Sequence, residues 1–241
     1  MFKKIAIATL VLIIVFSIVF GYIYIKEQRL PNFDAIQAVP IDASIIIKSQ
    51  NAISKLTHIR TGNEIWSELK NLPAVNRLDE DFAVIIDFVG KIPEASEIFA
   101  QKEIVISLHK QNKKDLGVLY YIPLNASRDK KLILEGITAK LGLGNQPVKR
   151  NFESNVIYQI ATNQPNRTIY LSFIKGLLII SPSGKMIENA LQQAGTSESL
   201  KNDAGFLRVS KTAGKNVDAN VYINFKHLPE ITSTLFNTNL Q

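Results

Sequence analysis

The stretch IVISLHKQNKKDLGVLYYI, residues 104–122, decides the fold of this chain. Apolar side chains recur at every second position on both sides of a polar run, at Ile104, Ile106, Leu108, Leu116, Val118, Tyr120 and Ile122. Such alternation is typical of a β-strand that buries one face. The polar run from Lys110 to Lys114 is short enough to join two antiparallel neighbours. The stretch therefore predicts an antiparallel hairpin, around which the other elements are arranged.

The chain after this hairpin continues with more strands and helices. Further strands are predicted at 148–152, 156–160, 169–174 and 177–180. Lys175-Gly176 separates the last two strands, and glycine readily takes the positive φ that a tight primed turn requires. Amphipathic helices are predicted from Ser127 to a stop at Gly142, from Pro182 to Gly195, and around 203–211. These elements predict an α+β fold in which amphipathic helices cover a largely antiparallel sheet.

The chain before the hairpin predicts a strand, two helices and another strand. The β-branched residues Ile45, Ile46 and Ile47 indicate a short buried strand. A helical hairpin follows within 51–69, and its second helix carries the single tryptophan, Trp66, on an apolar face that packs in the core. From Phe82 to Val89 apolar residues again recur at every second position, so we predict a further strand there.

The N-terminal stretch Ile5 to Ile25, IAIATLVLIIVFSIVFGYIYI, contains no charged residue. A helix of that length spans about 31 Å, which matches a hydrocarbon core of about 30 Å. The stretch predicts a transmembrane signal anchor rather than a cleaved signal peptide, because it is long and lacks a small-residue cleavage site. Lys3 and Lys4 precede it, so we expect the N-terminus inside the cytoplasm and the C-terminal part outside.

The predicted domain organisation follows from this anchor. Residues 1–4 form a cytoplasmic tail, 5–25 the anchor, 26–39 a juxtamembrane spacer, and 40–241 an extracytoplasmic α+β domain in the periplasm or at the cell exterior. The segment 218–223 echoes 42–47, since each begins with Asp-Ala and continues into an apolar run. Two interpretations stay open: the closing strand completes the first sheet, or 218–241 begin a second repeat of a longer protein.

Composition excludes several classes of protein. The chain has no cysteine, which excludes disulfides, thiol catalysis and cysteine-ligated zinc. The net charge is +7 at pH 7, but the basic residues fall in separate short clusters that no aromatic residues interleave. We therefore expect no nucleic-acid partner.

Several short motifs contain residue types found in catalytic or metal-binding sites, but their spacing or secondary structure does not fit such a site. Ser107 and Lys110 match the Ser-x-x-Lys spacing of penicillin-interactive enzymes, but on a strand they point to opposite faces. The acidic run 79–81 lacks the glycine and glutamate of a calcium loop. The histidines lie in different predicted elements and show no metal-binding spacing: His58, His109 and His227. The sequence therefore predicts no catalytic, cofactor-binding or metal-binding residue, and no cofactor or metal.

The order of elements is similar to that of one group of proteins. A single N-terminal anchor, then Pro40-x-Asp42-Ala43 leading into a β-branched strand, with α+β repeats behind it, resembles a group of uncharacterised bacterial membrane-anchored proteins known only as a domain of unknown function. The resemblance implies an extracytoplasmic location and an α+β fold, and it implies no chemistry.

Three functions are consistent with the sequence. The first is a membrane-tethered, non-catalytic extracytoplasmic module that acts through contacts with the membrane, an envelope protein or other envelope components. The second is an envelope hydrolase whose residues, such as Ser107, His109 and Asp87, meet only in three dimensions. The third is a domain that binds a small ligand or lipid in a cavity under a curved sheet. We expect the first, and we leave open whether the chain is an enzyme.

Overall fold

The computed structural model describes residues 11–22, 30–31, 33–124, 126–141, 147–162, 164 and 166–236. The strands are β1 (Ile45–Gln50), β2 (Glu103–Lys110), β3 (Leu116–Pro123), β4 (Val148–Phe152), β5 (Asn155–Ala161), β6 (Thr168–Ile174), β7 (Leu177–Ser181) and β8 (Ala219–Ile223). The α-helices after residue 33 are α1 (Ala52–Gly62), α2 (Glu64–Leu69), α3 (Pro73–Gly90), α4 (Pro93–Ala100), α5 (Ser127–Leu141), α6 (Gly184–Gly195), α7 (Ala204–Ser210) and α8 (Leu228–Phe236). Two short 3-10 helices lie at Ala35–Ala38 and Leu200–Asn202.

The described strands form one antiparallel sheet in the order β4-β5-β6-β7-β3-β2-β1-β8. The hairpin predicted from residues 104–122 is its centre, where Leu108 lies opposite Val118 and Ile106 opposite Tyr120. The predicted α+β class with a largely antiparallel sheet is therefore confirmed. The closing segment, β8, pairs with β1 and so belongs to this same sheet.

Both faces of the sheet are covered by helices. Ile104 and Ile106 of β2 face a core made with α1, α3, α4, α5 and α8, whereas Val105 faces a second core made with Ala35–Ala38 and α6. In β3 every residue from Leu116 to Ile122 is buried. Burying one large apolar side chain stabilises the fold by about 1.5–3 kcal/mol. The two cores therefore fix the centre of the sheet, and only its edges and connecting loops remain open to solvent.

The strand predicted from Phe82 to Val89 is wrong, because this segment lies inside helix α3. Every residue in it except Asp87 is apolar, so a period of two and a helical period both fit the pattern. The buried positions of the helix include Leu78, Phe82, Ile85 and Val89, which recur at intervals of three and four. Pro73 stands in the first turn, where its missing N–H costs nothing, and the helix then runs for 18 residues.

The predicted transmembrane anchor is contradicted. Residues 11–22 of the stretch are helical with exposed apolar side chains, whereas 5–10, 23–25 and the predicted tail 1–4 lie outside the described residues. Among the residues that the structure describes, no helix has the length and apolar character to cross a bilayer. This finding overturns the single-pass membrane localisation as well.

The other predicted helices lie close to helices of the structure. The helical hairpin of 51–69 forms α1 and α2, the helix from Ser127 forms α5, and the segment 203–211 contains α7. The predicted stop at Gly142 lies outside the described residues. Helix α6 begins at Gly184 rather than at Pro182, because Ser183 is still extended.

The turn between β6 and β7 has the geometry that its sequence predicts. Lys175 and Gly176 both have positive φ, 47° and 80°. A Cβ atom on Gly176 would also collide with the carbonyl oxygen of Pro31. The turn therefore requires glycine for its backbone conformation and for the close approach of the N-terminal segment.

We predict that Gly176→Ala lowers the free energy of unfolding by about 1–3 kcal/mol, because the alanine adds strain at a positive φ. Urea unfolding followed by circular dichroism measures the change. Gly195→Ala is the control, since nothing lies within 4 Å of a Cβ atom there. We expect it to change stability by less than about 0.5 kcal/mol, and equal effects of the two substitutions would contradict this account of the turn.

Candidate functional site

A chain of hydrogen bonds runs through the buried face of β2. Ser107 Oγ lies 2.7 Å from His109 Nε2 and 3.2 Å from the hydroxyl oxygen of Tyr121. His109 Nδ1 lies 3.0 Å from Asp42 Oδ1. Residues 107 and 109 share a face because they are two positions apart on a strand. The order of contacts, serine to histidine to aspartate, is the order found in a hydrolase triad.

Burial prevents Ser107, His109 and Asp42 from acting as a hydrolase triad. Ser107 is 0% exposed and His109 1% exposed, whereas the side chain of Asp42 keeps 53% of its exposure. A catalytic triad has the opposite arrangement, with the serine open to substrate and the acid buried. Asp87 takes no part, because it lies on α3 with its carboxylate 2.5 Å from Lys91 Nζ. The three residues named for the hydrolase hypothesis therefore do not meet in a pocket.

The hydrogen-bond chain instead joins the loop before β1 to the centre of the sheet. The hydrogen bond from His109 lowers the pKa of Asp42, and the nearby His109 and His227 charges act in the same direction, while burial opposes them. Burial raises the pKa of Tyr121, so its hydroxyl keeps its proton and can donate to Ser107. The side chains thus satisfy one another's polar groups inside the core, which is a structural role.

The acidic run 79–81 does not form a cation site. Asp79 accepts two hydrogen bonds from the guanidinium of Arg60, each 2.9 Å long. Glu80 and Asp81 both pair with Arg167, which lies before β6, and Asp81 Oδ1 is 2.8 Å from Arg167 Nη1. Asp79 is therefore directed to Arg60, whereas Glu80 and Asp81 share Arg167. Within the described ranges, no group of histidine, aspartate or glutamate side chains could hold a metal ion.

Trp66 packs as its apolar neighbours predict. Its ring stacks on Phe82 with 5.8 Å between the ring centroids. Its indole N–H donates to Asp79 Oδ1 over 2.7 Å. The tryptophan therefore joins α2 to α3 through one apolar and one polar contact.

A polar cleft of about 390 Å³ lies beside Asp81, between α3 and the start of α6. Burial raises the pKa of Asp81 to about 6, the charges of Glu80 and Asp115 add to this, and Arg167 opposes them. Arg77 forms an ion pair with Asp115 on the same wall. Since both arginines are paired with carboxylates, the cleft presents a neutralised network rather than a charged ligand site.

The histidines do not come together. His58 lies on α1, His109 on β2 and His227 just before α8. His227 Nδ1 is 2.8 Å from Glu230 Oε1 at the first turn of α8. His109 and His227 both lie near enough to Asp42 to lower its pKa, but each contacts a different carboxylate.

A larger cleft, about 610 Å³, lies at the β8 edge of the sheet. Helix α7 and the 3-10 helix Leu200–Asn202 form one wall, and β8 with the residues after it forms the other. Phe206 of α7 packs on Tyr222 of β8, with 5.1 Å between the ring centroids. The volume is in the range of about 300–1,000 Å³ that is usual for binding clefts. The lining includes apolar, hydroxyl and basic side chains, among them Ile41, Ser199, Phe206, Arg208, Tyr222 and Lys226.

Strand β8 is an edge strand, and its outer backbone groups face away from β1. The amide of Asn224 donates to the carbonyl oxygen of Ser44 over 2.9 Å, which shows that even-numbered positions point toward β1. In an antiparallel strand the N–H and C=O of alternate residues point to opposite sides. The backbone groups of Ala219, Val221 and Ile223 therefore point outward. In the part of the chain that the structure describes, no strand lies beside them.

The side chains of β8 leave this edge apolar and accessible. Val221 is 56% exposed and Ile223 46% exposed. The strand sequence, ANVYI, contains no charged residue. An exposed, uncharged edge strand is a surface on which another strand can pair.

The opposite edge, β4, has the sequence VKRNF and carries two cations. Arg150 Nη1 lies 2.7 Å from Glu188 Oε1, and Lys149 Nζ lies 5.9 Å from the centroid of the Tyr158 ring. Lysine and other charged side chains on an edge strand oppose pairing with another chain. The two edges therefore differ, and β8 is the one without such protection.

Comparison with known proteins gives no match: no family model, no curated protein and no solved structure is similar to this chain. The resemblance to membrane-anchored proteins of unknown function stays a prediction. The candidate site consists of the outer edge of β8 and the adjoining cleft.

The charge of Asp42 should make the free energy of unfolding depend on pH, and Asp42→Asn should remove this dependence. The folded pKa of Asp42 is lowered from 3.8, so the ionised carboxylate stabilises the fold above that pH, and this contribution is lost as the pH falls through the folded pKa. We predict that Asp42→Asn costs about 1 kcal/mol at pH 7, a value reduced because the carboxylate is half exposed. The difference from the unmodified chain should shrink at pH 3, as measured by urea unfolding.

Asp87→Asn is the control for this experiment, since Asp87 forms only an exposed ion pair with Lys91 on the same helix. We expect it to change stability by less than about 0.5 kcal/mol. An Asp42→Asn difference of the same size at pH 7 and pH 3 would show that the carboxylate charge contributes nothing.

Proposed function

We propose that this chain is a non-catalytic protein-interaction module that binds an extended polypeptide segment along the outer edge of β8. The proposal retains the contact-based function expected from the sequence and leaves out the membrane tether. The observation that carries it is an exposed and uncharged edge strand, which stands beside an open cleft.

The backbone of β8 supplies the binding groups. Ala219, Val221 and Ile223 present their N–H and C=O groups outward, where an added strand can pair with them. Each backbone hydrogen bond contributes about 0.5–1.5 kcal/mol net. Addition of a strand to a sheet edge is a recurring mode of peptide recognition, and it depends on backbone contacts more than on particular side chains.

The adjoining cleft supplies selectivity. Side chains of an added strand alternate between the two faces of the sheet. Those on the face of Tyr222 are directed toward the cleft, where Phe206 and Ile41 offer apolar contacts. Arg208 and Lys226 place positive charge among the lining residues, and Glu198 and Asp203 place negative charge there. An extended segment with an apolar residue at the matching position therefore fits best.

The interior of the protein favours this function over the other two. The Ser107–His109–Asp42 chain is closed to substrate, which leaves the hydrolase hypothesis without an accessible nucleophile. The ligand-binding hypothesis needs a cavity beneath the sheet, yet both faces of β3 are packed against helices. The larger cleft lies at the sheet edge instead, next to the outer edge of β8.

Selection from a random peptide library displayed on phage tests the proposal. We predict that the enriched peptides are extended segments with β-branched residues at every second position. Binding should fall at least tenfold for Val221→Pro, because proline removes an outward amide while an edge position tolerates its ring. Isothermal titration calorimetry with one synthetic selected peptide measures the affinity.

Val221→Thr is the matched control, since threonine keeps the amide and the β-branched shape. We expect its affinity to stay within about threefold of the unmodified chain. Peptides that bind Val221→Pro as tightly as the unmodified chain, or a selection that enriches no peptide, would contradict binding at β8.

A further inference from the structure

We infer that the extended segment which pairs with β8 is the β8 strand of a second copy of this chain, so that two sheets join into one across a two-fold axis. The inference rests on the proposed function, because it names the partner of the same edge. It depends on the register of the strand, the exposure of its side chains and the charges at its two ends.

The register is self-complementary about Val221. In an antiparallel pair, outward residues lie opposite outward residues. Centring the pair on Val221 therefore places Val221 opposite Val221 of the partner subunit, and Ala219 opposite Ile223 of the partner subunit. All three outward positions of each strand then take part, which allows up to about six backbone hydrogen bonds. A shift of two residues in either direction leaves at least one outward position of each strand unpaired.

The side chains that this pairing covers are the exposed apolar ones. Val221 and Ile223 are 56% and 46% exposed. In the paired arrangement Val221 lies opposite the β-branched Val221 of the partner subunit, and Ile223 lies opposite the small Ala219 of the partner subunit. Val217 and Phe225, which are 52% and 77% exposed, flank the two ends of the strand. An antiparallel arrangement brings Val217 to the end where Phe225 of the partner subunit lies. Each apolar group therefore acquires an apolar neighbour.

The charges at the ends of β8 favour an antiparallel second copy. Asp218 precedes the strand with a side chain that is 95% exposed, and Lys226 follows it as an exposed residue. Antiparallel pairing brings Asp218 toward Lys226 of the partner subunit, an attraction that the exposed Lys215 at the same end of β8 reduces. A parallel pair would instead bring the two Asp218 carboxylates together. Asp218 already lies 3.1 Å from Lys55 Nζ, which holds its position at the end of the strand.

The other edge does not offer the same pairing. Strand β4 would bring the cations of Lys149 and Arg150 close to those of a second copy. Like charges on opposing strands are destabilising. An isologous contact uses the same patch on both subunits and closes after two copies. Pairing through β8 alone therefore gives a dimer rather than a growing sheet.

Single cysteines test both the pairing and its register, because the chain contains no cysteine of its own. Directly opposed residues have Cα atoms about 5.5 Å apart, within the range of about 4.4–6.8 Å that a disulfide spans. We predict that Val221→Cys forms a covalent dimer under mild oxidation, as seen on a non-reducing gel. Ile223→Cys should not, because its two copies would stand about 13 Å apart along the strands. Covalent dimers from Ile223→Cys in the same yield, or none from Val221→Cys, would overturn the inferred pairing.

Analytical ultracentrifugation of the unmodified full chain separates this inference from the proposed function. We predict a reversible dimer, and we predict a monomer for Val221→Lys, in which two lysines would oppose each other. Val148→Lys on β4 is the matched control and should remain dimeric. Circular dichroism checks that both variants are folded, and if Val221→Lys is not, the cysteine result still decides.

A monomeric unmodified chain that binds selected peptides at β8 would overturn the second-copy inference and leave the proposed function standing. A monomer that binds no peptide would overturn both. A dimer that persists in Val221→Lys while no disulfide forms at position 221 would place the contact elsewhere and overturn the inference.

Discussion

An antiparallel sheet that does not close on itself leaves a row of unpaired backbone N–H and C=O groups at each edge, and this constraint governs how the protein can interact. The edge at β4 carries Lys149 and Arg150, whose charges oppose pairing with another chain. The edge at β8 carries only uncharged residues, with Val221 and Ile223 exposed. The same backbone chemistry is thus protected on one side of the molecule and available on the other.

The packing of the sheet explains why we propose a function at an edge. Every residue of β3 from Leu116 to Ile122 is buried between two helical layers. The side chains at the centre of the sheet therefore stabilise the fold and are not accessible to a ligand. The Ser107–His109 pair illustrates this, since its hydrogen-bond order is that of a hydrolase while its burial leaves no path for substrate. Ser107, His109 and Tyr121 satisfy one another in this core, which matters because an unpaired buried group costs about 1–3 kcal/mol. The hydroxyl oxygen of Tyr120, by contrast, has no hydrogen-bond partner among the described residues. Chemistry that needs access is left to the loops and to the outermost strands.

The sequence predicted most of the sheet, because alternation and turn residues are local signals. The β2–β3 hairpin and the Lys175-Gly176 turn follow directly from such patterns. The segment from Phe82 to Val89 was assigned to a strand because its nearly continuous apolar run fits two periods, and only packing against the sheet selects the helix. The apolar stretch 5–25 predicted a membrane anchor from length alone, and the described part of the structure contradicts it.

The candidate site was harder to predict, because an edge is defined by what is missing beside it. The spacing of Ser107 and His109 already placed both on one face, but Asp42 joins them only through the pairing of β1 with β2. The absence of charge in ANVYI, against the two cations in VKRNF, was visible in the sequence. Its meaning required the strand order, which places these two segments at opposite ends of the sheet.

Amide hydrogen exchange at single-residue resolution tests most directly whether β8 is a pairing edge. Outward amides at Ala219, Val221 and Ile223 should exchange rapidly in dilute protein and slow markedly as the protein concentration rises. The amides of Asn220 and Tyr222, which face β1, should stay protected at every concentration. Rapid exchange at Val221 and Ile223 that does not change with concentration, and is unaffected by a saturating selected peptide, would contradict the account.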